Sequence, residues 1–398
     1  MTSTPFRRLT CLPAALLTAG VLCGASFAAN ADTLKIGFLT TLSGPGSVIG
    51  NEIRDGFNLG LKHSGGKLGG MDVDMTIVDD HQDPQAARKT VDRLIKRDKV
   101  DLITGMAFSN VLLPVLPQIL QSGTIYISPN TGPQDYAGEK CDPRFFAAAW
   151  QTEDLPAAMG KFANEKGYKK VAIVAPAYPG GRESLNGFKS LYTGTVTDEI
   201  YTKLDQLDYS AELARLRSVK PDAVFYFLPG GLGVNFIKQL NAAGLDKQMA
   251  ILTTGFSADE DVIKSVGAPM TGLFNASQWA SDLDNEANKR FVKDFNTTYG
   301  RMPTLYASQA YDVARLIDSA AKKTGGKVTD KEAFRVALKS ADFASVRGQF
   351  AFNTNQFPIQ NIYMRQVQAL PDGKLGNRLI GTALANHKDA FAAECKMK

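Results

Sequence analysis

The sequence predicts an α/β protein of two doubly wound, parallel-sheet lobes joined by three crossover segments. Strand-like apolar runs alternate with helical patterns along most of the chain, the pattern of repeated β-α-β units. At 398 residues the chain is longer than one hydrophobic core comfortably holds. No flexible linker, low-complexity tract or short repeat divides it, so the chain is expected to pass between the lobes more than once.

The elements follow in order. Leu34 to Thr41 and Met71 to Val78 read as strands, and Asp83-Pro84 caps a helix whose Ala87, Val91, Leu94 and Ile95 share one face. Asp101 to Thr104 and Thr124 to Ser128 extend the sheet, with a helix predicted between them from about Val111 to Gln121. After Phe145 to Trp150 a second series opens with a helix over Asp154 to Lys166, a strand over Lys170 to Val174 and a helix over Arg182 to Tyr192. Pro221-Asp222 launches Ala223 to Leu228, a continuous apolar run suited to burial on both faces, and Met249 to Thr253 and Gly272 to Ser277 repeat the cycle. Asn285 to Ser340 is mostly helical, and Gln360 to Val367 is the last strand candidate. If the long helical stretch returns to the first lobe, the crossings fall near Trp150, Ser281 and Phe350. The lobes are then 32–150 plus 282–350 and 151–281 plus 351–398, and the ligand cleft lies at the carboxyl ends of both sheets.

Residues 1–31 read as a secretion signal: Arg7 and Arg8, an apolar stretch from Leu12 to Ala25, and the small-residue site Ala29-Asn30-Ala31, with cleavage expected after Ala31. The expected location is the periplasm. Cys23 follows Val21-Leu22 rather than a small residue, which disfavours a lipid anchor, and Cys11 is no better placed. Cys141 and Cys395 remain after cleavage and are expected to form a disulfide in an oxidising compartment. Loss of Arg7 and Arg8 reduces the formal charge from +5 to +3, and acids and bases are interspersed, so no nucleic-acid partner is expected. No later apolar run reaches the roughly 20 residues of a membrane span.

Catalytic patterns are scarce. His63, His81 and His387 are the only histidines, none at metal-ligand spacing from a second histidine or cysteine, and no G-x-S-x-G or H-E-x-x-H occurs, so no enzyme, metal or cofactor is predicted. Gly44, Gly46 and Gly50 follow the first strand, but at GxGxxxG spacing and with Pro45 removing a donor they do not make a dinucleotide loop in an exported protein. Gly230-Gly231-Leu232-Gly233 reads as a tight turn. Strand-to-helix turns ending in hydroxyl, amide and aromatic residues are the remaining signal: Phe108-Ser109-Asn110, Ser128-Pro129-Asn130-Thr131 and Ala177-Tyr178-Pro179-Gly180. Ser109 and Thr131 are candidate donors to a carboxylate, with the helix after Ser109 lending its free N–H groups; the alternative is that Ser109 only caps that helix. Tyr178, Phe256 and Tyr306 are candidate walls.

The segments LKIGFLTTLSGPGSVIGNEIRDGFNLGL, VDLITGMAFSN, IYISPNTGP, PDAVFYFLPGG and PTLYASQAYDVARLIDSA resemble, in order, the Leu/Ile/Val-binding-protein-like solute receptors of ATP-binding-cassette importers, which have the type I periplasmic-binding fold. FFAAAWQTED, TKLDQLDYSAELARLR, FNASQWASDLDNEANKRFV and SVRGQFAFNTNQFPIQNIYMRQV look more like the subgroup associated with aromatic acids such as benzoate and hydroxycinnamates. The resemblance implies that Ser109 holds a ligand carboxylate with the backbone and hydroxyl of Asn130 and Thr131, and that Ile49 stands where amino-acid receptors often present an aromatic wall. It also implies that Tyr178 is the second lobe's aromatic contribution and that Gly230 lies on its next ligand loop. Phe256 falls near the acid that amino-acid receptors offer an ammonium, and Gly255-Phe256-Ser257 carries no such acid, although Asp259 or Glu260 reaches inward if the alignment shifts by a turn. The expected function is delivery of a small carboxylate, preferably aromatic, to a membrane permease by a monomeric receptor. The alternatives are a branched-chain or other amino-acid receptor and an exported ligand sensor of the same fold.

Overall fold

The computed structural model describes residues 1–6 and 33–397, so from residue 7 the signal segment, with Arg7, Arg8, Cys11, Cys23 and the cleavage site after Ala31, lies outside the described residues. A first sheet is built from β1 (Leu34–Thr40), β2 (Lys67–Leu68), β3 (Met71–Asp79), β4 (Leu102–Thr104), β5 (Ile125–Ser128) and β6 (Phe145–Ala147) in the order β2-β3-β1-β4-β5-β6. All its pairings are parallel except the short β2-β3 hairpin. Of the seven residues of β1 only Lys35 is exposed, because helices cover both faces of the sheet. The helices linked to this series are α1 (Ser47–His63), α2 (Pro84–Arg93), α3 (Ser109–Leu112), α4 (Leu116–Gln121) and α5 (Gln134–Ala137).

The second sheet collects β7 (Lys170–Pro176), β8 (Thr195–Thr202), β9 (Ala223–Tyr226), β10 (Ala250–Thr254), β11 (Phe274–Ser277), β12 (Phe350–Phe352), β13 (Pro358–Ala369) and β14 (Leu375–His387). Its order is β12-β13-β11-β10-β9-β7-β8, with β14 also paired to β13. The β13 pairings are antiparallel, so this lobe has a parallel centre and an antiparallel flank. Its connecting helices are α6 (Asp154–Glu165), α7 (Pro179–Leu191), α8 (Ser210–Val219), α9 (Gly231–Ala242) and α10 (Glu260–Val266). The following α11 (Glu286–Tyr299), α12 (Leu305–Lys323) and α13 (Lys331–Lys339) return to the first lobe, where α12 lies along α1. That contact depends on Gly56, where a β-carbon would stand 2.1 Å from the Ala307 carbonyl oxygen.

Gln360 to Val367 is not the last strand, because β14 follows it and is held by its pairing with β13, and two helix expectations also need correction. The helix expected over Val111 to Gln121 is two short helices, because Pro114 lacks an N–H and its ring clashes with the preceding turn. The helix expected from Arg182 begins at Pro179, whose fixed φ suits the first helical position.

Buried arginines tie the crossing segments. Arg347, fully buried, donates from Nε to Asp312 at 2.9 Å and from Nη1 to the Ala149 carbonyl at 3.0 Å and to Gln360 at 2.9 Å. Arg365 donates to the Trp279 carbonyl at 3.2 Å and to Asn275 at 2.9 Å. The tail returns to the first lobe: Cys395 is bonded to Cys141, and Asn355 links the Ala137 carbonyl to Asp389.

Candidate functional site

The carboxyl ends of the parallel strands face each other across the gap between lobes, and loops from both lobes line a small cavity of about 40 Å³. Ser109 follows β4, Asn130 and Thr131 follow β5, Tyr178 follows β7, Phe227 and Pro229 follow β9, and Phe256 follows β10. Ile49 reaches the cavity from the first turn of α1 and Tyr306 from that of α12. Seven of the eight residues singled out from sequence therefore line one cavity. Gly230 does not; it lines an adjoining cavity of about 10 Å³ that shares Ile49, Phe256 and Tyr306. Its φ of +60° favours glycine at the start of α9.

At the polar end, Ser109 does not cap its own helix. Its hydroxyl instead accepts the N–H of Gly180 from the other lobe at 2.9 Å. The helix after Ser109 spans only four residues, so the dipole expected of it is small; the longer α7, opening at Pro179, supplies the N–H that faces the site. The Asn130 side chain is occupied by the scaffold, donating to the Ala107 carbonyl at 2.5 Å and accepting from Gln309 at 3.0 Å, which leaves its backbone for a ligand. Thr131 is held by Ser128, whose hydroxyl donates to the Thr131 carbonyl at 2.6 Å.

The walls are aromatic. Phe256 packs against Trp150 at a ring-centroid distance of 4.6 Å, edge-on to Phe227 at 5.3 Å, and beside Tyr306 at 6.3 Å, while Tyr178 stacks with Phe227 at 6.5 Å. Trp150, Phe227 and Gly180 were not among the residues singled out from sequence. Trp150 sits on the first crossing, and Phe227 ends a run whose apolar character suggests only core. Burial pushes the Tyr178 and Tyr306 phenols upward, so both stay neutral donors. Among the described residues, no Asp, Glu, Lys or Arg lines the main cavity. Behind it, at the seam between lobes, Glu183 accepts the Gln134 N–H at 3.4 Å through one oxygen while the other has no partner. Burial pushes its carboxyl up to about 7, with Thr152 and Gln134 opposing.

Among the described residues no three His, Cys, Asp or Glu side chains gather as metal ligands, and no helix is long and apolar enough to cross a membrane.

Residues 33–374 match the family model described as periplasmic binding protein. A solute-binding protein of an ABC transporter from R. palustris, solved in complex with benzoate, is 32% identical with a TM-score of 0.86, over 92% of this chain and all of the other. A second such protein, from Rhodopseudomonas palustris BisB5 with 3,4-dihydroxybenzoic acid, is 29% identical with a TM-score of 0.83, over 90% and 99% of the two chains. Leu/Ile/Val-binding protein homolog 6 of Brucella melitensis biotype 1 is 26% identical over 92% of this chain and 96% of its own length. With its type I fold, the chain belongs to the periplasmic binding protein family, as a solute-binding receptor of an ABC transporter and not an enzyme.

Proposed function

We propose that this receptor captures an aromatic carboxylate of the benzoate or hydroxycinnamate type and delivers it to the transporter's membrane permease. The observation that carries the reading is the composition of the cavity: six aromatic side chains, hydroxyl and backbone donors, and no acid among its lining residues to neutralise an ammonium. An α-amino acid placed there would bury its ammonium unpaired, at a cost of several kcal/mol. A flat ring gains about 0.5–1.5 kcal/mol per aromatic contact beyond area burial. The carboxylate would meet the Ser109 hydroxyl, the Thr131 loop and the Gly180 N–H, in effect entering between Ser109 and Gly180. Touching both lobes, such a ligand favours the closed arrangement over the open one, which is the form a permease would read. The benzoate and dihydroxybenzoate complexes of the two R. palustris proteins support this choice, whereas the Brucella name favours a branched-chain amino acid.

Calorimetric titration of the mature protein, freed of bound solute by unfolding and refolding, with benzoate, leucine and phenylalanine decides between them. Heat with benzoate and none with the amino acids is expected. Binding of leucine or phenylalanine without any response to ring acids overturns the aromatic reading.

A further inference from the structure

We propose that Asp259 forms a distal subsite for a hydroxyl carried at the end of the ring acid remote from its carboxylate, and so determines which aromatic acids the receptor prefers. The inference rests on the aromatic-carboxylate reading above. Ile49, Phe256 and Tyr306 line both the main cavity and the adjoining one, whereas Ser109 and Thr131 line only the first and Asp259 only the second. A ring acid anchored at Ser109 and Thr131 and sandwiched by the three shared side chains therefore points its far end toward Asp259.

The carboxyl there is unfinished. Asp259 is 2% exposed, its Oδ2 accepts the Leu305 N–H at 2.8 Å, and its Oδ1 has no hydrogen-bond partner. A buried acceptor left unmade is costly, and this one stands on the wall of a cavity that adjoins the ligand site. Glu52, the other deeply buried acid on this cavity, has both oxygens taken, by Arg301 and by the N–H and hydroxyl of Thr304. Asp259 Oδ1 is thus the fully buried acceptor on this cavity without a hydrogen bond, although Arg365 lies near enough to act on its charge and the less buried Asp261 also lines the cavity. A hydroxyl suits it better than an ammonium. Burial drives the Asp259 carboxyl well upward, against Arg365 and with Glu260 pushing the same way as burial; a hydroxyl bonds to the acid in either protonation state, while an ammonium requires the anion.

The test is titration of the refolded receptor with benzoate, its 2-, 3- and 4-hydroxy derivatives, cinnamate, 4-hydroxycinnamate and 4-(aminomethyl)benzoate. The expected result is a gain of about 10- to 100-fold from the 4-hydroxyl on at least one of the two frames, the better frame giving the reach to Asp259, and no gain from a 2-hydroxyl. Asp259→Leu removes donor and acceptor at nearly the same size, and should bring 4-hydroxy and unsubstituted acids within about threefold of each other with benzoate affinity retained. Equal affinities of hydroxylated and parent acids for the wild type, an unchanged preference in the variant, or a preference for the aminomethyl acid overturns the subsite. Failure of every ring acid to bind instead overturns the aromatic reading on which it depends. Should the variant not fold, the wild-type series decides alone.

Discussion

At the scale of single residues, Ser109 is the most exacting test of the site. Its hydroxyl sits at the end of β4, caps no helix, and meets Gly180 across the lobe gap. Ser109→Ala should weaken a carboxylate ligand by about 1.5–3 kcal/mol, the size of a hydrogen bond to a charged group, with the melting temperature of the free protein little changed. Calorimetry on the folded variant checks this, and an unchanged affinity would remove Ser109 from the site. Ser109, Thr131 and Tyr178 were legible because a strand-to-helix turn in a parallel sheet puts its first polar or aromatic residues at the cleft. Gly180, Trp150 and Phe227 were harder to read, since their role depends on contacts between distant lobes. Phe227 in particular belongs to the apolar run Ala223 to Leu228, in which nothing local distinguishes the last inward ring from core. Asp259 was visible only as an ambiguity of alignment; its direction is set by the Leu305 N–H, 46 residues away.

At the scale of elements, strands buried on both faces announced themselves, whereas β14 did not. Leu375–His387 mixes glycine, asparagine and alanine, lies largely exposed, and is held as a strand by its antiparallel register with β13 rather than by its own propensity. The tail after β14 is a comparable case, because its position comes from a covalent link. Cys395 joins Cys141 over a sequence separation of 254 residues, bringing the C-terminal end back to the loop before β6. Closing so long a loop restricts the unfolded chain, and we propose that the bond contributes about 2–5 kcal/mol to the mature protein. Thiol labelling of unfolded, unreduced protein should find no free thiol, and Cys141→Ser with Cys395→Ser should lower the denaturation midpoint. Two reactive thiols per mature chain would refute the link.

At the scale of the whole molecule, the seam between lobes combines structural ties with groups that oppose burial. Arg347 and Arg365 hold the crossing segments by their carbonyls. Near the ligand cavity the same seam buries Glu183, whose free oxygen and weak 3.4 Å bond leave its charge poorly compensated. Burial raises its pKa from 4.5 to about 7, with Thr152 and Gln134 opposing and Glu153 and Asp135 repelling the charge. Glu153 is also raised to about 7, by burial first and by Asp154 next, with Lys189 opposing. A raised pKa means that the folded state keeps a proton the unfolded chain releases. The contribution is therefore whole below about pH 4.5 and is lost as pH rises through about 7. Allowing for partial exposure, Glu183 accounts for about 1–3 kcal/mol of that loss. Thermal unfolding of the ligand-free protein should show its melting temperature falling between about pH 5 and pH 8 from these groups, and Glu183→Gln, which stays neutral at the same size, should make the fall shallower without abolishing it, because Glu153 still titrates. An identical pH slope in wild type and Glu183→Gln would show that the acid at the seam is compensated by solvent and that closing the lobes costs it nothing.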